Sequence, residues 1–177
     1  MDNKQIELKK AKKILKEFCL LNNIKTPRCI IDNTIDEYGV YYTNHISTIF
    51  INLDKCKLSN SKLTHGSIKE YTIIGVLIHE FAHLLHYQYH YDVLHKSFKK
   101  LKEPLIHYFE RDIEEDIAES IRLFILNPTL LEEGRPKRYK ILNKLFKTIN
   151  TEHYIVQLER LNTQNRIMTQ KWILGEI

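Results

Sequence analysis

Residues 71–91 constrain what this chain can fold into more than any other segment. Tyr71, Ile73, Ile74, Val76, Leu77, Ile78, Phe81, Ala82, Leu84 and Leu85 surround a helical wheel almost completely. A helix that is apolar nearly all round belongs at the centre of a core, packed on several neighbours at once. The same segment carries His79, Glu80 and His83. Burying two imidazoles and a carboxylate without partners costs several kcal/mol in total, so their presence needs a physical reason.

The rest of the chain is patterned to enclose such a helix. Residues 3–21 place Ile6, Ala11, Ile14, Leu15, Phe18 and Leu21 on helical spacing opposite a lysine-rich face, and Asn22-Asn23 and Thr26-Pro27 stop that helix. Three β-like runs follow, Arg28–Ile31, Tyr38–Thr43 and Thr48–Leu53, rich in Ile, Val, Tyr and Thr. Residues 54–70 are polar and turn-like. Beyond the central helix, residues 92–108 predict a helix or helix pair broken at Pro104. Asp112 to Leu126 predicts a helix opened by acids and ended before Asn127-Pro128. Residues 137–149 and 152–175 read as two more amphipathic helices. With 5 Gly and 4 Pro in 177 residues, a turn-rich all-β fold is excluded. The expected class is α+β: an N-terminal helix, a small sheet of about three or four strands, the central helix, then a helical C-terminal half. Residues 1–150 form the expected domain and 151–177 a helical extension of it.

Charge and cysteine content bound the partners. The net charge of +5 owes much to Lys4, Lys9, Lys10, Lys12, Lys13 and Lys16. That cluster reads as a solvated helix face, with nucleic-acid recruitment only weakly supported because no nucleic-acid module is recognisable. Cys19, Cys29 and Cys56 contain no C-x-x-C pair and read as reduced thiols, neither bridged nor metal-binding. No secretory leader or membrane-spanning run is evident, so a cytoplasmic or virion-associated protein with no membrane contact is expected. No motif fixes an oligomeric state.

His79-Glu80-Phe81-Ala82-His83 is an H-E-x-x-H pattern. Residues four apart share a helix face, so two neutral imidazoles can converge on one ion, and that donor set suits zinc. Glu80 is rotated away from the first histidine, where it can serve as general base without ligating. A catalytic zinc takes three protein ligands and keeps one position open. A third histidine following a glycine is ruled out, because His86 and Tyr89 stand at those positions. A glutamate from a later helix is available in Glu114-Glu115-Asp116-Ile117-Ala118-Glu119. Glu115 and Glu119 share a face; one can bind the metal while the other accepts the second N–H of a ligating histidine. His86 and His90 continue the histidine stripe. They read as surface residues or supports of the site, with a second H-x-x-x-H site as the alternative.

His79–His83, followed by Glu115-Asp116-Ile117-Ala118-Glu119-Ser120-Ile121-Arg122-Leu123, resembles the catalytic lobe of the anthrax lethal factor-like gluzincins, whose second motif reads E-F-F-A-E-A-F-R-L. The resemblance covers roughly residues 70–148 and includes Arg135-Pro136-Lys137-Arg138-Tyr139, similar to the start of the family's last helix. Ala82 and Ile117 depart from the Gly and aromatic residue usual there. The resemblance implies a zincin-like fold, Glu115 as third ligand, Glu119 as the partner of His79, and Tyr108 as a transition-state stabiliser. It further implies one zinc ion per chain and hydrolysis of a protein or peptide substrate. Thr48–Leu53 is the expected edge for an extended substrate. Two other functions compete: a zincin-fold assembly component, for example of a phage particle, and a DNA-associated protease.

Overall fold

The structure, a computed structural model, describes residues 2–44, 47–58, 72–101 and 112–149. Asp2 caps α1 (Asn3–Leu21) by accepting from the Lys4 N–H, which satisfies one of the donors a helix start leaves open. The helix ends as expected, with Asn22 as its C-cap and Asn23 at φ 54°, a left-handed turn that asparagine tolerates. Leu8, Ala11, Ile14, Leu15 and Phe18 form its buried face, whereas Ile6 and Leu21, expected there, are 37% and 41% exposed. Both lie outside the stretch from Leu8 to Cys19 that the core covers. Lys9, Lys10, Lys12, Lys13 and Lys16 all face solvent.

Arg28–Ile31 (β1), Gly39–Tyr41 (β2) and Thr48–Ile51 (β3) make a three-stranded sheet in the order β1-β3-β2. β1 runs parallel to β3 and β2 antiparallel to it, with Val40 opposite Phe50 and Tyr41 opposite Ile49. This order overturns the expectation for Thr48–Leu53. β3 is the middle strand, its backbone paired on both sides, and cannot accept an added strand. Its alternation is legible: Ile49 and Ile51 are fully buried while Thr48 and Phe50 are not.

Thr72 caps α2 (Ile73–Tyr89), its hydroxyl accepting from the Gly75 N–H at 3.0 Å. Ile73, Leu77, Ile78, Phe81 and Leu85 are sealed from solvent, as a central helix requires. α2 packs on α1, on β2 and β3, and on α4 (Ile113–Leu126); Phe18 and Phe81 meet edge to face at 6.0 Å. α3 (Tyr91–Leu101) follows α2 after His90. α5 (Pro128–Gly134) was not anticipated. Pro128 does end the preceding helix, but proline is also a preferred first residue of a new one. α6 (Pro136–Leu145) starts with another proline and ends four residues before the expected 149. Its Arg138 is buried, donates to Asp116 at 2.8 Å and Ser120 at 2.9 Å on α4, and lies over the Phe98 ring of α3. That one guanidinium ties three helices together.

The expected helix at 152–175, the break at Pro104, Tyr71 and Tyr108 lie outside the described residues. Cys19, Cys29 and Cys56 are free thiols. Among the described residues no helix is long and apolar enough to cross a membrane.

Candidate metal centre

Two helices build the site. His79 and His83 stand one turn apart on α2, and α4 faces them. Asp112 caps α4 through one carboxylate oxygen that accepts from the Glu114 and Glu115 N–H groups at 3.0 and 3.3 Å. The cap fixes the first turn of α4, and with it Glu115, opposite the histidines. His79 Nε2 and His83 Nε2 are 3.1 Å apart, and the Glu115 carboxylate sets one oxygen 3.1 Å from His79 Nε2 and the other 3.2 Å from His83 Nε2.

The other ring nitrogen of His79, Nδ1, lies 2.5 Å from Glu119 Oε1. A carboxylate only accepts, so Nδ1 carries the proton. In the neutral ring Nε2 then presents a lone pair towards His83 and Glu115. Acceptors packed this closely repel one another unless a proton or cation lies among them. Ligands about 2.0–2.1 Å from a tetrahedral zinc are themselves about 3.3 Å apart, close to the separations found. His79, His83 and Glu115 thus form a group that could hold a metal ion. Side-chain exposures of 18% for His79, 13% for His83 and 33% for Glu115 leave the group partly accessible, while Glu119 at 4% is sealed behind it.

The electrostatics agree with a site made for positive charge. Burial opposes a charged His79, but its bonds to Glu115 and Glu119 and the fields of Glu119 and Glu80 prevail and lift the imidazole to about 10. Burial also opposes the charge of Glu115, yet the two histidines hold that carboxyl far below its usual range. For Glu119, burial is outweighed by the charge of Arg122 and the bond to His79, and the carboxyl is held low. Glu80 is pushed upward, first by burial, against the pull of His79 and His83.

Glu80 itself points towards the sheet. Its Oε2 accepts the Tyr41 N–H of β2 at 2.9 Å. Because the Tyr38 carbonyl accepts from Asn52 and Val40 pairs with Phe50, alternation turns the Tyr41 N–H to the outer edge of the strand. β2 comes this close because residue 39 is glycine. A Cβ there would stand 2.6 Å from Val76 Cγ1 and 3.0 Å from Glu80 Cγ. Sequence reasoning missed Gly39 and Tyr41, since nothing local marks a glycine between strands as a contact with a distant helix. It also gave Arg122 no role, although its i,i+3 spacing from Glu119 was visible.

His86 and His90 depart from expectation. His86 is fully buried, stacked with Tyr91 at 5.0 Å and beside Tyr87 at 5.2 Å, and neither of its ring nitrogens has a hydrogen-bond partner among the described residues. Burial pulls it down to about 4, although Glu114 opposes the fall. His90 packs edge-on against Phe146. Among the described residues neither joins a metal-binding group, because their rings pack on other aromatic rings. Tyr89 and Tyr91 are 40% and 41% exposed, whereas Tyr87 donates to Glu114.

No protein-family model, curated protein or solved structure matches this chain.

Proposed function

We propose that this chain is a zinc-dependent peptidase in which His79, His83 and Glu115 hold the ion and Glu80 is the general base. The observation that carries the reading is the convergence of His79 Nε2, His83 Nε2 and the Glu115 carboxylate at 3.1 to 3.2 Å, with Nδ1 of His79 already committed to Glu119. Two imidazoles and one carboxylate are a donor set that suits zinc and leaves room for an exchangeable ligand. The resemblance of the two motifs to the lethal factor-like gluzincins supports the same assignment.

When bound, such an ion polarises a carbonyl and acidifies water. The protein's part falls to Glu80. It stands between the two histidines on α2, and burial pushes its carboxyl upward, the direction suited to a group that takes a proton and returns it to a leaving amine. The Tyr41 N–H engages Oε2, which orients the carboxylate and leaves Oε1 as the oxygen that would take the proton. The outer edge of β2, beside Glu80, replaces β3 as the strand along which an extended peptide would lie. Tyr108 remains the proposed oxyanion stabiliser.

Elemental analysis and a cleavage screen against a proteome-derived peptide library test this reading together. Zinc-loaded wild type should cut the library, and Glu80→Gln should hold equal zinc while losing cleavage by at least about a hundredfold. Cleavage by the Gln variant at the wild-type rate would remove Glu80 as base. Full zinc occupancy without cleavage by either form would favour the assembly-component reading.

A further inference from the structure

Two buried arginines sit against α4, and they do different work. Arg138 on α6 crosses to Asp116 and Ser120 on α4. Arg122 instead bonds a residue of its own helix: its Nε lies 3.2 Å from Glu119 Oε1 and 2.9 Å from Oε2. An ion pair at i,i+3 within one helix joins no two elements, so it cannot act as a staple of the fold. It is also poorly suited to filling space. Arg122 is 6% exposed and its Nη2 has no hydrogen-bond partner among the described residues. Desolvating a guanidinium that is only partly satisfied is costly, and an apolar side chain of similar volume would serve a core better.

What the pair does accomplish is orientation. Glu119 touches Arg122 on one side and His79 Nδ1 on the other, the latter at 2.5 Å. A carboxylate on a flexible side chain has two free torsions next to its head group. One guanidinium N–H, on Nε and shared between both oxygens, restricts that freedom. His79 then keeps its proton on Nδ1 and its Nε2 lone pair towards His83 and Glu115. We propose that Arg122 is a positioning residue of the metal centre, clamping Glu119 against His79 so that His79 Nε2 is aimed at the bound cation. The role rests on the reading of His79, His83 and Glu115 as ligands. Arg138, buried equally well on a neighbouring helix, is its natural control.

The test is a titration of the full chain with cobalt(II), followed by its visible absorption band and by competition with a chelator. Arg122→Met should weaken cobalt binding about 10–100-fold and alter the band, because the ring of His79 is no longer held. Arg122→Lys keeps a buried charge but not the planar contact, and should lose about 3–10-fold; it decides the matter should the Met variant not fold. Arg138→Met should lower the Tm yet keep cobalt affinity within about twofold, since its pair lies apart from His79. Wild-type affinity and spectrum in either Arg122 variant would overturn the role, as would an equal loss of affinity in Arg138→Met. Failure of the wild-type chain to bind cobalt would overturn the metal centre itself, and this role with it.

Discussion

Glu115 and Glu119 lie one turn apart on α4 and meet the same imidazole at opposite ends, Glu115 at Nε2 and Glu119 at Nδ1. Their consequences for metal binding should differ accordingly. Removing Glu115 deletes a proposed ligand, whereas removing Glu119 leaves the three proposed donors and frees only the orientation of one. Glu119→Ala is expected to weaken zinc binding about 10–100-fold, and Glu115→Ala by more than that range. Both variants lose one carboxylate from the same helix, so gross charge is matched, and competition against a chelator of known affinity ranks them. Equal losses, or the larger loss at position 119, would mean that the ligand and its support have been exchanged. The four-residue spacing was legible in the sequence. Spacing alone does not say which acid meets which nitrogen, because it places both on one face; the resemblance implied Glu119 as the partner of His79, and the placement of α4 against α2 gives that contact.

Between elements, the contact that matters for Glu80, the proposed base, is that of β2 with α2. The room at Gly39 admits the strand, and the Tyr41 N–H then reaches Glu80 across 39 positions of sequence. A methyl group at position 39 would push against Val76 Cγ1 and Glu80 Cγ at once. Gly39→Ala should therefore cost about 1–3 kcal/mol of stability, as overpacking does. It should also lower the rate of cleavage through the displaced carboxylate. Val76→Ala vacates the closest atom, so the double variant should recover part of the loss in urea denaturation. Strictly additive losses would show that the clash is not the reason for the glycine. In the sequence Gly39 reads as one more turn residue at the start of a β run, because the atoms that crowd it belong to a helix more than thirty positions later.

At the scale of the whole molecule, the buried aromatic cluster between α2 and α3 sets a response to acid. His86 faces Tyr87, Tyr91 and His95 and feels the charges of Glu114, His83 and His95. Its affinity for protons falls from the ordinary 6.5 to about 4 in the folded chain. Between those values the unfolded chain binds a proton that the folded chain does not, so this residue makes stability rise with pH there and fall on acidification. The loss from pH 7 to pH 4 attributable to His86 is on the order of 2–3 kcal/mol. His86→Phe keeps a ring in the stack and removes both unsatisfied nitrogens. Urea denaturation at pH 4, 5, 6 and 7 should show a flatter dependence in the variant and equal or greater stability at pH 7. An unchanged slope would sink the assignment.

By itself the sequence determined the existence and type of the main elements, the central place of α2 and the pairing of His79 with His83. Each of these is a property of local pattern: an all-round apolar wheel, β-rich runs between polar ones, and a four-residue repeat of imidazoles. Only the tertiary structure decided that β3 lies inside the sheet and β2 at its edge, and that His86 is sealed in aromatic packing. It alone set Arg122 and Arg138 to different tasks. Those facts rest on contacts such as His79 with Glu119, 40 residues apart, and strand order, whose energy comes from how whole elements pack rather than from any repeat along the chain.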